Sequence, residues 1–428
     1  MHPNLWYPYT PVRPSGPHRP MLRIKSAAGS YLIAEDGGRF IDGNGSWWVS
    51  NLGHQHPRLV AALKQQADQM CHVSLAGITH EPAEALAEAL VEVAPEGLAH
   101  VFYTDDGSTA IEVAVRMALQ YHQQTGNPKR NRFIALEGAF HGETVTSASL
   151  SDMPVFHRSL SCLAFDCERI SSPGINEESA LIGLSNLLIE KGKDIAALLI
   201  EPLVQGAGGM LMHSPRFLRE ARRLTREHGV LLIADEVFVG YGRTGAMWAC
   251  DQAGITPDIL CTAKGFTGGM LPMAATMATD EIYQAFVDRE GEPSRTLLYG
   301  HSYCGNPLAC AVALEVLKVY EDEAIMEGIA ARGEILQVGI EQLAAIDGVT
   351  NPRRTGLLAA IDLPPMSEQG YKDPVGWQVY DEALKRGAYL RPLGNVLYFV
   401  PALNMPLDVL DRLMQITYEA TERALNVN

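Results

Sequence analysis

Short apolar runs alternate with amphipathic segments through the middle of the chain. Between the runs, apolar residues recur every three or four positions, as in the stretch from Pro57 to Met70. Strands that are apolar throughout are buried on both faces, which is typical of a parallel sheet covered by helices. The pattern therefore predicts an α/β fold with a mostly parallel central sheet. The predicted strands are residues 101–104, 133–136, 195–200, 230–234 and 259–263.

The two ends of the chain have a different texture. The first fifty residues are rich in proline and aromatic residues and contain a hairpin-like pair, Tyr31–Ala34 and Arg39–Ile41. After about residue 315, amphipathic helical spacing is followed by short apolar stretches near 356–361 and 396–400. We expect a smaller α+β lobe built from both ends. The expected division is an N-terminal arm and small sheet over 1–55, a large domain over 56–315 and a C-terminal small domain over 316–428.

Charge and composition narrow the class of protein. The chain has 428 residues and a formal net charge of −16, which argues against a nucleic-acid surface. No apolar run is long enough to cross a bilayer, and the N-terminal residues lack the basic and apolar design of a secretion signal. The seven cysteines form no CxxC pair, as expected for reduced thiols in a cytoplasm. We expect a cytoplasmic protein with small-molecule substrates and no nucleic-acid or membrane partner.

A metal site is not expected. His54 and His56 could supply two ligands, but Pro57 and a predicted helix follow directly, and no second ligand cluster accompanies them. A turn leading into a helix cap accounts for the pair better.

Lys264 and Asp235 carry the clearest chemical signal. Lys264 follows an apolar run and lies 29 residues after Asp235, which ends another run. In a parallel sheet both would lie beyond the carboxyl ends of strands, where ligands bind. A lysine amine can bind the aldehyde of pyridoxal 5'-phosphate covalently, and a carboxylate can keep the pyridine nitrogen protonated so that the ring accepts electrons. Taken singly, each residue is more often a solvated loop charge or an ordinary strand end.

Further segments are expected at the same edge. Gly107 and Ser108 open a predicted helix whose N–H groups could hold a phosphate, although such residues also commonly cap helices. Phe140 could stack on a cofactor ring or pack in the core. Arg243, in the glycine-rich loop 242–245, could contact a substrate or belong to a plain surface loop.

Seven motifs together resemble the class III (ω-type) aminotransferases in order and spacing. The resemblance covers nearly the whole chain and implies an enzyme of the pyridoxal phosphate-dependent transferase fold type I. It also implies a homodimer with shared active sites, in which Gly300 and Ser302 reach the phosphate of the neighbouring subunit's cofactor and Gly300 also lies near the substrate. The motifs are Gly107-Ser108, Phe140-His141-Gly142, Glu201-Pro202, Ala234-Asp235-Glu236, Gly242-Arg243-Thr244-Gly245, Lys264-Gly265 and residues 300–307.

Other segments are similar to one branch of this family, which aminates 7-keto-8-aminopelargonate in biotin biosynthesis with S-adenosylmethionine as donor. The branch implies that Tyr9, Trp47, Arg391 and Tyr398 line the substrate site, with Arg391 holding the far carboxylate of the keto acid. The segments are residues 6–10, 45–48, 76–81, 204–210 and 391–395.

Three positions depart from the family pattern. Phe140 stands where many members of the branch have tyrosine, Asp106 replaces a serine, and His301-Ser302 replaces the Pro-Thr of one subgroup. These departures leave open whether S-adenosylmethionine or lysine is the amino donor. Two rival activities also remain: another class III aminotransferase acting on a short ω-amino acid or diamine, and an aminomutase of the same fold.

Overall fold

The computed structural model describes residues 2, 4–11, 21–367 and 370–426. The strands are β1 Ile24–Ala28, β2 Tyr31–Ala34, β3 Arg39–Asp42, β4 Leu98–Thr104, β5 Arg132–Leu136, β6 Glu168–Ile170, β7 Ile195–Ile200, β8 Val204–Gln205, β9 Leu211–Met212, β10 Leu231–Asp235, β11 Ile259–Thr262, β12 Ala274–Thr279, β13 Thr350–Thr355, β14 Leu358–Asp362, β15 Ala388–Tyr389 and β16 Val396–Phe399.

The helices follow in chain order, with short 3₁₀ turns at Arg158–Leu160, Lys264–Thr267, Met326–Gly328 and Gly370–Lys372. They are α1 Gly45–Trp48, α2 Pro57–Gln69, α3 Glu81–Val93, α4 Gly107–Gln124, α5 Val145–Leu150, α6 Pro154–His157, α7 Glu177–Lys191, α8 Pro215–Glu227, α9 Ala249–Ala253, α10 Asp280–Gln284, α11 Pro307–Asp322, α12 Ile329–Ala344, α13 Val375–Lys385 and α14 Leu407–Leu425. Among the described residues, no helix has both the length and the apolar content that a membrane span requires.

A seven-stranded sheet forms the centre, in the order β4-β12-β11-β10-β7-β5-β6. Only β12 runs against its neighbours, since it pairs antiparallel with both β4 and β11, while the remaining pairs are parallel. The prediction of a mostly parallel α/β sheet is confirmed. Asp235 at the end of β10 pairs in register with Cys261 of β11, so Lys264 lies just beyond the same edge.

Helices cover both faces of this sheet. On one face, α4 packs its buried side chains, including Val113 and Met117, against the sheet. On the other face, α7 and α8 contribute Leu184 and Phe217 to a second cluster. All six residues of β7 are buried. Successive side chains point to opposite faces of the sheet, and helices cover both faces. Burial on both faces explains why these strands read as continuous apolar runs.

The two ends of the chain meet in a smaller sheet. The antiparallel strands β1, β2 and β3 are joined by β15, which pairs with β3 in parallel through Ala388 opposite Ile41 and Tyr389 opposite Asp42. A separate antiparallel sheet, β13-β14-β16, packs against α12. An N-terminal arm that packs with C-terminal elements was expected from the sequence, although the domain boundaries themselves stay a prediction.

The segment α1 is unusual because its backbone is left-handed. Gly45, Ser46, Trp47 and Trp48 have φ values of 53°, 45°, 65° and 75°. Ordinary L-residues adopt this conformation singly and at a cost of about 1–2 kcal/mol each. Sequence periodicity gave no indication of this turn, which carries two adjacent tryptophans.

Candidate active site

A cavity of about 610 Å³ opens at the carboxyl edge of the central sheet. Lys264 and Asp235 line its floor, together with Ser108 from the start of α4. Residues from both lobes complete the walls, among them Trp47 and Arg391. The cavity therefore brings together side chains that lie more than 300 positions apart in the sequence.

Lys264 begins the 3₁₀ turn after β11 and has a left-handed φ of 45°. Its Nζ lies 4.8 Å from the centre of the Trp48 ring and 5.8 Å from that of Phe238. Burial lowers the pKa of Lys264, although the nearby carboxylates of Asp235 and Glu201 oppose the shift. A lowered pKa increases the fraction of neutral amine, which is the nucleophilic form.

Asp235 is fixed by two donors. Its Oδ2 lies 2.7 Å from Nδ1 of His141, and its Oδ1 accepts a hydrogen bond from the Val237 N–H at 3.1 Å. Both side chains of the His141 and Asp235 pair are buried. In the sequence, His141 stands within the Phe140-His141-Gly142 motif, and no role was predicted for it. Its position beside Phe140 was the one available signal, because the contact to Asp235 spans 94 positions.

Glu201 ties the end of β7 to the loop that carries Phe140. Its Oε1 accepts from the Phe140 N–H at 3.0 Å and its Oε2 from the Gly206 N–H at 2.8 Å. Burial raises the pKa of Glu201 to about 7. The carboxyl group lines the cavity, so it adds a group whose charge changes near neutral pH.

Glu236 points away from the cavity, because successive residues along a strand face opposite sides of the sheet. Its carboxylate accepts hydrogen bonds from the N–H groups of Ala249 at 3.0 Å and Cys250 at 2.8 Å. Burial raises the pKa of Glu236 to about 7. Asp235 is thus the carboxylate of this pair that faces the cavity.

The start of α4, Asp106 to Ser108, forms a small cup in the cavity wall. Asp106 caps the helix, since its Oδ1 accepts from the Thr109 N–H at 3.0 Å. The cup has no room for larger side chains: a Cβ at Gly107 would lie 2.8 Å from Val237, and one at Gly142 would lie 2.2 Å from the Ser108 hydroxyl. Asp106, which stands where the family pattern has serine, therefore acts as the helix cap, and free N–H groups at a helix start attract phosphate.

These features fit the predicted pyridoxal phosphate. An amine on Lys264, a fixed carboxylate on Asp235 and a narrow helix start at Ser108 surround one cavity. Phe140 also lines it, with its ring stacked on that of His157 at 5.8 Å between centres and 16° between planes. A planar aromatic cofactor could lie against Phe140, which has no hydroxyl to offer it.

Arg391 and Tyr9 lie on the opposite wall. The Arg391 guanidinium carbon is 4.7 Å from the centre of the Trp47 ring, and its Nη2 donates to the Tyr371 hydroxyl at 3.2 Å. Its Nη1 is buried and has no hydrogen-bond partner among the described residues. Tyr9 packs edge-on against Trp47 at 5.2 Å and donates its hydroxyl hydrogen to Glu143.

The structure does not bring Arg243 to the cavity. Its guanidinium is buried and donates to the carbonyls of Leu357 at 3.0 Å and Pro401 at 2.8 Å and to the side chain of Asn51 at 2.8 Å. Burial lowers the pKa of Arg243 to about 10. The expected substrate contact is therefore corrected, because all of these partners belong to the protein interior and tie the two lobes together.

Tyr398 also lies outside the lining. It is buried, and its hydroxyl accepts a hydrogen bond from the Trp48 indole N–H at 3.2 Å. Its effect on a substrate would pass through Trp48, whose ring is 6.0 Å from its own. The direct contact expected from the sequence is thus replaced by a supporting one.

Gly300 and Ser302 do not line the cavity of their own chain. Both are exposed in the single chain, and the Ser302 carbonyl accepts from Nε2 of His72 at 2.6 Å. Between them, His301 places Nδ1 2.9 Å from Asp105, which does line the cavity. Their predicted contact with a neighbouring subunit's cofactor stays a prediction.

The histidine pair considered as metal ligands is divided between two carboxylates. His54 Nε2 lies 2.9 Å from Asp42, whereas His56 Nε2 lies 3.3 Å from Glu323. Within the described ranges, one group holds three potential ligand atoms within 4.8 Å of one another, formed by Asp105, His301 and Cys304. Both ring nitrogens of His301 are already within hydrogen-bond distance of protein groups, Asp105 and Tyr299.

A family model described as Aminotransferase class-III matches residues 13–420. The chain belongs to the class III aminotransferases. The motif resemblance is thereby confirmed over almost the full length, as is the fold type I architecture of the family.

Relatives of this class III aminotransferase carry a more specific name. The adenosylmethionine-8-amino-7-oxononanoate aminotransferase of Synechococcus elongatus is 45% identical over 410 residues, covering 94% of each chain. The crystal structure of the enzyme of that name from Methanocaldococcus jannaschii superposes with a TM-score of 0.93 at 33% identity, covering 98% of this chain and 97% of that one. An amine transaminase from an uncultivated Pseudomonas species, solved in its PLP-bound form, has a TM-score of 0.90 at 31% identity and 99% coverage of both chains.

Proposed function

We propose that this aminotransferase converts 7-keto-8-aminopelargonate into 7,8-diaminopelargonate in biotin biosynthesis, with S-adenosylmethionine as amino donor and pyridoxal 5'-phosphate as cofactor. The observation that carries the proposal is Arg391, whose buried Nη1 has no hydrogen-bond partner among the described residues and which lines the cavity beside the apolar rings of Trp47 and Trp48. A long alkyl chain that ends in a carboxylate matches that combination. The names of relatives up to 45% identical support the same substrate.

When bound, pyridoxal phosphate would accept the electron pair released at the substrate carbon. The side chains around it divide the remaining tasks. Lys264 Nζ takes the proton from the donor carbon in the first half-reaction, which its lowered pKa favours, and delivers a proton to the acceptor carbon in the second. Asp235 holds negative charge at one place, because the His141 ring and the Val237 N–H fix both of its oxygens. The start of α4 at Gly107 supplies N–H groups for the phosphate.

Arg391 would hold the far carboxylate of the keto acid. Its fork of donors suits a carboxylate, and stacking on Trp47 keeps the guanidinium plane in place. The Tyr371 hydroxyl accepts a hydrogen bond from Nη2 of Arg391, so Nη1 of the same side chain is available for a ligand. The Trp47 and Trp48 rings supply an apolar wall for the alkyl chain between the two ends of the substrate.

The amino donor would contact Tyr9 and Glu143, which both line the cavity and are hydrogen-bonded to each other. A carboxylate at this position favours a positively charged donor. S-adenosylmethionine carries a sulfonium charge and lysine an ammonium charge, so Glu143 is compatible with both. The donor is therefore tested separately from the acceptor.

A half-reaction experiment tests the proposal. Enzyme loaded with pyridoxamine phosphate is mixed with 7-keto-8-aminopelargonate, pyruvate or succinic semialdehyde, and the return of pyridoxal absorbance is followed. We expect discharge by the long keto acid at least about tenfold faster than by the short ones, the difference that 1.4 kcal/mol of selective binding provides. Faster discharge by a short keto acid would favour the rival class III activity.

The reverse half-reaction identifies the donor. Pyridoxal-loaded enzyme receives S-adenosylmethionine or lysine, and the loss of its absorbance is followed. Loss of absorbance with S-adenosylmethionine but not with lysine supports the proposed donor. Loss of absorbance with lysine but not with S-adenosylmethionine would identify lysine as the donor instead. An aminomutase would instead isomerise an amino compound without any keto acid acceptor.

We also propose a homodimer in which Gly300 and Ser302 of one subunit complete the other subunit's site. Their exposure in the single chain and their absence from its own cavity support this arrangement. Mixing an inactive Lys264→Ala subunit with an inactive Ser302 variant should restore part of the activity, because one of the two sites in each mixed dimer is intact. Verified mixed dimers without any activity would contradict shared sites.

Two further expectations remain proposals. The division at residues 55 and 315 into an arm, a large domain and a small domain is supported by the change of sheet between β3 and β4 and again between β12 and β13, although residue 315 itself lies within α11. A cytoplasmic location is supported by the seven cysteines, none of which is in a disulfide.

A further inference from the structure

The left-handed turn α1 contains the two tryptophans that wall the cavity. Ser46 and Trp47 have φ/ψ values of 45°/56° and 65°/43°, close to those of a left-handed helix. Trp48 continues the same hand with φ of 75°. Three consecutive residues with side chains in this region store strain that the surrounding structure must offset.

The turn directs both rings at functional groups of the cavity. Trp48 lies under the Lys264 amine at 4.8 Å, and Trp47 lies under the Arg391 guanidinium at 4.7 Å. A return of these residues to a right-handed or extended backbone would redirect both rings at once. The conformation of the turn thus sets the distance between the reacting end and the carboxylate-binding end of the cavity.

One carboxylate holds the turn. Asp42 is buried, and its Oδ2 accepts from the Ser46 N–H at 2.7 Å and from the Ser46 hydroxyl at 3.1 Å. The same oxygen lies 2.9 Å from His54 Nε2, while Oδ1 accepts from the Asn44 N–H at 3.1 Å. Asp42 therefore binds the backbone on both sides of Gly45.

Asn44 and Gly45 close the other side of the turn. The Asn44 amide donates to the Tyr398 carbonyl at 3.1 Å and accepts from the N–H of Arg391. A Cβ at Gly45 would lie 2.8 Å from the Val400 carbonyl oxygen, so glycine is required there. The turn is thus attached to the strand that precedes it and to the segment that carries Arg391.

We infer that Asp42 is a positioning residue, which maintains the left-handed turn and thereby the two tryptophan walls that select a long apolar substrate. Asp42 itself is absent from the cavity lining, so it acts through Ser46 and the turn. The identity of the selected substrate rests on the proposed function, but the role of Asp42 in the turn does not.

The test compares Asp42→Ala with the double variant Asp42→Ala/Ser46→Gly. Glycine adopts positive φ without a Cβ penalty, so it should restore the turn that the missing carboxylate no longer holds. We expect Asp42→Ala to shift tryptophan emission to the red and to increase acrylamide quenching in the cofactor-free protein, because Trp48 is only 5% exposed in the intact turn. The double variant should recover much of both signals.

Kinetics supply the second readout. In Asp42→Ala, KM for the keto acid should rise on the order of tenfold, with a smaller change in kcat, because the wall contributes binding and Lys264 remains in place. Ser46→Gly should partly reverse the rise. A wild-type enzyme that does not use the keto acid would refute the proposed function, whereas the fluorescence comparison would still decide the role of Asp42.

Asp258→Asn is the matched control. Asp258 likewise contacts a basic side chain, that of Arg222, and accepts a backbone hydrogen bond, from the Leu232 N–H, but it does not line the cavity. The Asp258→Asn variant should reduce the stability of the fold without changing the tryptophan emission or KM for the keto acid. Equal effects of both variants, or no recovery with Ser46→Gly, would overturn the inference.

Ser46→Val covers the case in which Asp42→Ala does not fold. Valine keeps Asp42 but disfavours positive φ, so it should reproduce the emission shift and the rise in KM. Unchanged emission and KM in folded Ser46→Val would likewise overturn the inference.

Discussion

The His141 imidazole lies 2.7 Å from the Asp235 carboxylate, and both side chains are buried. A His141 Nδ1–H that donates to Oδ2 orients the carboxylate, while the Val237 N–H donates to the other oxygen. This contact connects the loop after β5 to the end of β10. We propose that Asp235 stabilises a positive charge on a bound ring nitrogen.

Replacing Asp235 with Asn should remove most of the turnover but leave cofactor binding. A neutral amide cannot stabilise a pyridinium charge, so kcat should fall on the order of 10²-fold or more. Steady-state kinetics and a cofactor titration measure the two effects. Asp258→Asn serves as the control, and near-normal turnover of Asp235→Asn would mean that another acid performs this task.

Lys264→Ala should fold and bind pyridoxal phosphate without a covalent link. Wild-type protein treated with borohydride should retain the cofactor after denaturation, because reduction fixes the bond to the lysine. The alanine variant should release it. Lys191→Ala, which removes a lysine paired with Glu168, should behave like the wild type. A borohydride-fixed cofactor in Lys264→Ala would transfer the role to another lysine.

Arg243→Lys should destabilise the fold rather than weaken substrate binding. A lysine cannot reach the carbonyls of Leu357 and Pro401 and the side chain of Asn51 together. Losing hydrogen bonds to a buried charge should lower the free energy of unfolding by about 2–4 kcal/mol. Denaturant unfolding and KM are measured at a temperature where the variant is folded. Unchanged stability with a raised KM would restore the substrate role.

Lys264 and Arg243 show which features of the site could be predicted from the sequence and which could not. Lys264 follows a strand whose apolar run records burial on both faces, so its edge of the sheet could be predicted. Arg243 follows Gly242 in a glycine-rich loop, and the direction of such a loop depends on the second lobe, which packs against it from more than 100 positions away. The sequence therefore indicated a positively charged side chain in this loop, but not that the Arg243 guanidinium would be buried.

Contacts between distant segments account for the other gaps. His141 meets Asp235 across 94 positions, and Trp48 meets Tyr398 across 350. Neither pairing leaves a local pattern. Serine itself does not favour the left-handed φ seen at Ser46, whose N–H and hydroxyl donate to the Asp42 carboxylate. By contrast, the fold class and the parallel strands follow from local periodicity and were predicted.

Glu236→Gln should flatten the pH dependence of stability. The folded state raises the pKa of Glu236 to about 7 from 4.5, so this group stabilises the fold most below pH 4.5, and the contribution is lost as pH rises through 7. The stability of the wild type relative to the variant should fall by about 2–3 kcal/mol between pH 5 and pH 8.

Denaturant unfolding at the two pH values measures this difference. Glu201 titrates near the same pH but is present in both proteins, so its contribution cancels. Glu190→Gln, at an exposed position, should leave the pH dependence unchanged. A constant difference between wild type and Glu236→Gln would mean that Glu236 stays charged throughout, held by the N–H groups of Ala249 and Cys250.

Arg391→Ala should separate the two halves of the reaction. The keto acid carries its carboxylate at the far end of an alkyl chain, and Arg391 presents a buried Nη1 without a partner among the described residues. Losing one charge-assisted contact should weaken the keto acid half-reaction by roughly 1.5–3 kcal/mol. The donor half-reaction should change less, because the proposed donor contacts are Tyr9 and Glu143, which are hydrogen-bonded to each other and not to Arg391. Rapid-mixing absorbance of each half-reaction gives the two values.

Arg386→Ala is the control, because Arg386 pairs with Glu382 and Glu419 and does not line the cavity. It should leave both half-reactions unchanged. Equal losses in both halves for Arg391→Ala would indicate a general role in folding, since Arg391 also stacks on Trp47. Arg391→Lys distinguishes charge from geometry: a lysine keeps the charge but not the planar fork, so partial recovery limited to the keto acid would identify carboxylate binding as the function of this side chain.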